Sequence, residues 1–183
     1  MEVTSKTFLA ILRSALLGQK ANLPKDVTLE DWQKLFGMAK ILSVLPMFYE
    51  AVYASPSLQQ LNVPFVVLAK RQVMQQVMMQ TMRTNEFLEL NKKLQATGVR
   101  PLVVKGIICR NLYPQPDYRQ SGDEDVLVPA EQFETCHRVM KEFGMQTTED
   151  EKDLSAAYEI PYRKMGSPLY IVVMIGIGEV SIT

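Results

Sequence analysis

The sequence predicts an α+β protein: an all-helical region over residues 1–98 leads into a small mixed sheet with flanking helices over residues 99–183. Three observations predict it. Up to Gly98, apolar residues recur at helical spacing. Beyond it, the apolar runs shorten to strand length and are rich in Val and Ile. Proline and glycine fall between these segments, at positions where helices start and stop.

In chain order, Thr4 to Leu17 carries Phe8, Leu9, Ile11, Leu12 and Leu16 on a helical period, with Gly18 as the stop. Asn22 to Val27, with Pro24, reads as a linker. Thr28 followed by Asp31 has the spacing of a capping box, and a helix follows through Trp32, Leu35 and Phe36 to about Ala39. Ser43 is expected to cap a third helix, with Pro46 in its first turn and Leu45, Phe48, Tyr49 and Val52 facing inward. Pro56 and Pro64 bracket a short polar segment. A long helix is predicted from Pro64 to Thr97, closed by Gly98. Val66, Val67, Val73, Met74, Val77 and Met78 form its apolar stripe. Met78, Met79 and Met82 read as gap-filling core residues, with a ligand groove as the minor alternative. Lys70, Arg71, Glu86, Glu89, Lys92 and Lys93 read as its solvated face, and phosphate contact by Arg71 or Arg83 is a minor alternative.

The second half alternates. A strand is expected from Val99 to Val104, a helical turn from Ile107 to Leu112, and a strand from Asp125 to Val128. A helix from Pro129 to Phe143 ends at Gly144 and should pack Phe133, Cys136, Val139 and Met140 on the sheet. Met145 to Thr148 reads as a short strand. Tyr158 to Arg163 and Leu169 to Ile175 read as two more, around a Lys164-Met165-Gly166-Ser167 turn. His137, the single histidine, reads as a surface residue.

Composition narrows the class. Apolar residues make up 47% and charged residues 22%, as in ordinary globular proteins. Lys plus Arg (20) equals Asp plus Glu (20), which argues against a nucleic-acid binder. There is no secretory pattern at the start, and the longest apolar run, Leu169 to Ile177, is far short of the ~20 residues a membrane span requires. Cys109 and Cys136 have neither zinc-ligand spacing nor a disulfide framework, so reduced thiols in a cytoplasmic protein are expected.

The stretch Leu102 to Val128 carries the chemistry. A strand runs into Lys105-Gly106, an apolar helical turn follows, a Pro- and Gln-rich loop leads to Arg119, and Asp123 and Asp125 open the next strand. Carboxylates at i and i+2 of an extended segment share a face. Beside a glycine that admits close approach, they suggest a divalent metal holding a nucleotide. Singly these features are common, and the ordered set is far more specific.

That ordered set resembles the nucleotidyltransferase superfamily, best known from DNA polymerase beta and kanamycin nucleotidyltransferase. It looks closest to a bacterial group of uncharacterised nucleotidyltransferases with Lys-Gly in place of the usual Gly-Ser. Lys105, Gly106, Tyr113, Pro114, Arg119, Gly122, Asp123 and Asp125 carry the resemblance, which covers Val99 to about Gly144. It implies a nucleotidyltransferase-like sheet and transfer of a nucleotidyl group from an NTP to a hydroxyl of an unknown acceptor. Asp123 and Asp125 would be the catalytic carboxylates and would hold Mg²⁺ (or Mn²⁺). Lys105, Gly106 and Arg119 would bind the nucleotide. Within the motif, the residue between the aspartates is usually aliphatic, and here it is Glu124. A buried unpaired carboxylate is costly, so either a wetter strand face or a basic partner is expected there.

The same resemblance implies a third acidic residue on a later strand. The corresponding segment, Tyr170 to Met174, has none, and Glu179 lies beyond it. Together with the apolar tail Ile171 to Thr183, this suggests a chain truncated or altered relative to a longer enzyme, with self-association through that tail. The alternative function is a catalytically silent nucleotidyltransferase-like module that binds a nucleotide or a protein partner.

Overall fold

The computed structural model describes residues 3–24, 27–61, 63–149 and 157–176. Five helices come first: α1 (Val3–Leu16), α2 (Leu29–Ile41), α3 (Leu45–Val52), α4 (Pro56–Gln59) and α5 (Val63–Ala96). They are followed by β1 (Leu102–Val103), α6 (Ile107–Arg110), β2 (Glu124–Pro129), α7 (Phe133–Glu142), β3 (Met145–Gln146), β4 (Glu159–Lys164) and β5 (Tyr170–Gly176). The predicted α+β class holds, with a helical region followed by a five-stranded mixed sheet and flanking helices. The chain divides into two compact units: residues 1–78 with 110–120, and residues 79–109 with 121–183. The loop of the motif that contains Tyr113, Pro114 and Arg119 thus counts with the first unit.

In the first unit, α1, α2 and α3 pack on one another around Phe8, Ile11, Trp32, Leu35, Phe36, Leu45 and Phe48. Phe36 stands edge-on to Phe48, with ring centroids 5.2 Å apart, and to Phe65, at 5.4 Å. Such edge contacts match the ring quadrupoles and add to the burial of area. The Thr28–Asp31 capping box is present: the Thr28 side chain accepts from the Asp31 N–H at 3.2 Å, and Asp31 accepts from the Thr28 N–H at 3.1 Å. The Thr28 hydrogen bonds hold the Asp31 carboxyl below its ordinary pKa.

Ser43 is not a cap. It sits at φ 56°, in the left-handed region, where it turns the chain after α2, and α3 has Val44 as its N-cap, without a side-chain cap hydrogen bond. The segment bracketed by Pro56 and Pro64 contains α4, a single helical turn whose N-cap is Ser55. The apolar stripe of α5 is only partly internal. Val73 is buried, whereas Val67, Met74 and Met78 are more than half exposed, and Met79 and Met82 are also exposed. The three methionines are therefore not core residues of this chain. Helical spacing identified the apolar face of α5 but not how much of it is covered.

In the second unit the strand order is β1-β2-β5-β4-β3. β2 runs antiparallel to β1 and parallel to β5, with Asp125 opposite Val172 and Val126 opposite Val173. β4 is antiparallel to both β5 and β3. Alternation along β5 buries Ile171, Val173 and Ile175 and leaves the residues between them half-buried. The buried face meets Phe87, Leu90 and Leu94 of α5 and Phe133, Cys136, Val139 and Met140 of α7. β5 pairs with β2 over Ile171–Gly176 and with β4 over Tyr170–Met174, and that interior position explains why this segment is so apolar. The rest of the apolar tail, with Glu179, lies outside the described residues.

Candidate functional site

The site is built on the start of β2 and on the turn that precedes α6. β1 brings the chain alongside β2, and the Val104 N–H donates to the Asp125 carbonyl at 2.9 Å. The next two residues turn back over the strand. Gly106 makes this possible, for two reasons. Its φ is +68°, which L side chains rarely adopt. A Cβ there would also lie 2.6 Å from the Glu124 Cδ and 3.0 Å from the Asp123 carbonyl oxygen.

Glu124 is fully buried, and its Oε2 accepts the Ile107 N–H at 2.7 Å. The strand face at Glu124 is therefore dry, not wetter than usual. The backbone N–H that follows Gly106 is also not an open phosphate donor, because a carboxylate of the chain already occupies it.

Asp125 has only 11% of its side chain exposed. Its Oδ2 lies 3.5 Å from the Lys105 Nζ, long for a hydrogen bond, and has no hydrogen-bond partner. The Lys105 side chain is 70% exposed, so this ion pair by itself is weak. Asp123, immediately before β2, is half-buried. Extended geometry sends residues 123 and 125 to one side of the chain and 124 to the other.

The second unit thus contains Lys105, Gly106, Asp123 and Asp125. Arg119 belongs to the first unit, where its guanidinium carbon lies 5.8 Å from the Tyr113 ring centroid and its buried Nη1 lacks a hydrogen-bond partner.

A magnesium ion typically takes one or two protein carboxylates and completes its octahedron with water and phosphate oxygens. Two hard oxygen donors, one of them buried and without a hydrogen-bond partner, fit that requirement for one ion. No group of three His, Cys, Asp or Glu side chains among the described residues could share a metal. Next to Asp125 on β5 stands Val172, with no carboxylate anywhere along Tyr170–Gly176.

A polar network that sequence reasoning missed holds the loop ahead of Asp123. Arg83 on α5 donates through Nη1 to the Ser121 carbonyl and through Nε to the Pro168 carbonyl, the latter at 2.9 Å. Gln80, buried, accepts from the Ser121 N–H at 3.1 Å and from Arg83 Nη1 at 3.3 Å. Glu86 accepts from the Ser167 hydroxyl at 2.8 Å and pairs with Lys164 at 3.4 Å. Arg83 is therefore bonded to loop carbonyls, and Glu86 is not simply a solvated residue. The only available signal was a charged residue placed between apolar positions of a long helix, which does not reveal its partners. Arg83→Met should loosen the Ser121–Asp123 segment and cost about 2 kcal/mol through unsatisfied carbonyls. Amide hydrogen exchange checks it: faster exchange is expected at residues 121–123, with α2 unchanged.

His137 is half-buried, with Nδ1 2.7 Å from the Tyr162 hydroxyl, so it is not a free surface group. Burial raises the Tyr162 pKa and pushes the Cys136 thiol up to about 12, so Cys136 is an inert core residue. No helix among the described residues is long and apolar enough to cross a membrane.

A protein-family model described as "Uncharacterised nucleotidyltransferase" matches residues 28–170, well over half of the chain. Comparison with curated proteins and with solved structures gives no match.

Proposed function

This chain belongs to the family of uncharacterised nucleotidyltransferases, and from that membership we propose that it moves a nucleotidyl group from an NTP to a hydroxyl of an acceptor, using Mg²⁺ or Mn²⁺. The observation that carries the reading is the buried Asp125 oxygen without a hydrogen-bond partner, beside the Lys105 ammonium and the Gly106 turn. In the proposal, Asp123 and Asp125 hold the metal through carboxylate oxygens. Lys105, mostly exposed and already near Asp125, is free to swing its ammonium onto a phosphate oxygen. Gly106 keeps the backbone low enough for the triphosphate to approach. Arg119 enters as a second phosphate-neutralising cation on the sequence pattern alone. When bound, the divalent ion would neutralise charge on the transferring phosphate and help align it with the attacking hydroxyl.

Val172 favours a second reading, in which the chain binds nucleotide without transferring it. A carboxylate at that neighbouring strand position would complete the metal site or accept the proton of the attacking hydroxyl. Incubation with each of the four NTPs and MgCl₂ separates the two. Pyrophosphate release above a metal-free control supports transfer; saturable binding without release supports the silent module.

A further inference from the structure

Between the two aspartates lies a residue that the metal chemistry does not use. Glu124 is fully buried, and extended geometry sends it to the other side of the chain from Asp123 and Asp125, yet it reaches the Lys105-Gly106-Ile107 turn. Its carboxylate accepts the Ile107 N–H at 2.7 Å and packs so closely under Gly106 that no side chain fits between them. Lys105, one residue before Gly106, has its Nζ 3.5 Å from Asp125.

We infer that Glu124 is a positioning residue: it clamps the Lys105-Gly106-Ile107 turn against β2, so that the Lys105 side chain is rooted beside Asp125, within reach of a docking nucleotide phosphate. What Lys105 does for the nucleotide rests on the function proposed above. The clamp itself does not. Three facts support it. The hydrogen bond runs from a side chain of β2 to a backbone N–H of the turn, so it fixes main chain and not a mobile side chain. The glycine carries a left-handed φ of +68°, which the rest of the turn must hold in place. A buried carboxylate carries a desolvation cost that an aliphatic residue would not, so its place here is matched to the N–H it accepts. The same contact removes the Ile107 N–H from the donors open to a phosphate, which leaves Lys105, and a metal ion that the aspartates would hold, to meet the anion.

Two substitutions in the full chain test this. Glu124→Gln keeps an oxygen acceptor of the same size; Glu124→Leu removes it while filling the space. Amide hydrogen exchange at residues 105–108 is read first. Glu124→Leu should exchange there at least about tenfold faster, and Glu124→Gln should stay near wild type. Next, each of the four NTPs is titrated in MgCl₂. Affinity should fall about tenfold or more in Glu124→Leu and be restored in Glu124→Gln, because small misplacement of a reacting group has large effects. Thermal stability of Glu124→Leu should fall, because the Ile107 N–H loses its acceptor, so affinity is compared below the midpoint of both variants, where a merely structural glutamate would leave it unchanged. Unchanged exchange in Glu124→Leu, or nucleotide affinity equal to wild type, overturns the inference. If wild type binds no NTP, the proposed function fails, and the exchange result alone upholds or overturns the clamp.

Discussion

Gly106→Ala is expected to lower the thermal midpoint of the second unit by roughly 10 °C, about 3 kcal/mol for a chain of this size. Two costs add. The left-handed backbone disfavours any L side chain by about 1 kcal/mol or more. The new Cβ also collides with the Glu124 carboxyl and approaches the Asp123 carbonyl oxygen. Glu124 is fully buried, so its carboxylate can yield only by leaving the Ile107 N–H, and an unsatisfied buried donor costs about 1–3 kcal/mol. Gly98 and Gly144 supply the control. Both have positive φ, but an added Cβ meets nothing within 4 Å at Gly98 and only the Lys164 Cε, at 3.9 Å, at Gly144. Alanine at either should cost only the backbone strain. Melting followed by near-ultraviolet circular dichroism checks it, and a Gly106→Ala midpoint within 1 °C of wild type would contradict the packing described.

Asp125→Asn is expected to weaken Mg²⁺-dependent NTP binding by about a hundredfold or more while leaving the fold intact. Loss of residues that merely orient metal ligands already costs about 10–100-fold, and a ligand itself should cost more. Stability should hold or rise. The Asp125 oxygen is buried without a hydrogen-bond partner, and its ion pair is with a lysine whose side chain is 70% exposed. Neutralising such a carboxylate removes a desolvation cost and forfeits little, since exposed ion pairs are worth about 0–1 kcal/mol. Denaturant unfolding beside nucleotide titration separates the two effects. A variant that loses binding only because it unfolds would argue for a structural aspartate.

These two residues show what the sequence made legible. The Lys105-Gly106 turn, the Asp-x-Asp strand and the helices around them follow from local signals: a positive-φ glycine, an i, i+2 pair and apolar periods of 2 and 3.6. The capping box at Thr28 was readable for the same reason, since both partners lie within one turn. Glu124 was readable only as an anomaly. Its partner is a backbone N–H from another segment, and no side-chain pattern encodes that. Arg83 and Gln80 were missed because their acceptors are loop carbonyls near Ser121 and Pro168, joined to them only by the fold. The methionines of α5 mark the opposite failure. Their spacing announced an apolar face, but exposure depends on what lies against it, which periodicity does not record. Ser43 was misread because a serine near a helix start suits both a cap and a left-handed turn.

The central claim is that Asp123 and Asp125 make a metal-dependent nucleotide site. Calorimetric titration of the wild-type chain with each NTP, once in MgCl₂ and once in EDTA, tests it most directly. One saturable site that appears only with Mg²⁺ is predicted. Absence of binding for all four NTPs, or binding that EDTA leaves unchanged, would contradict it.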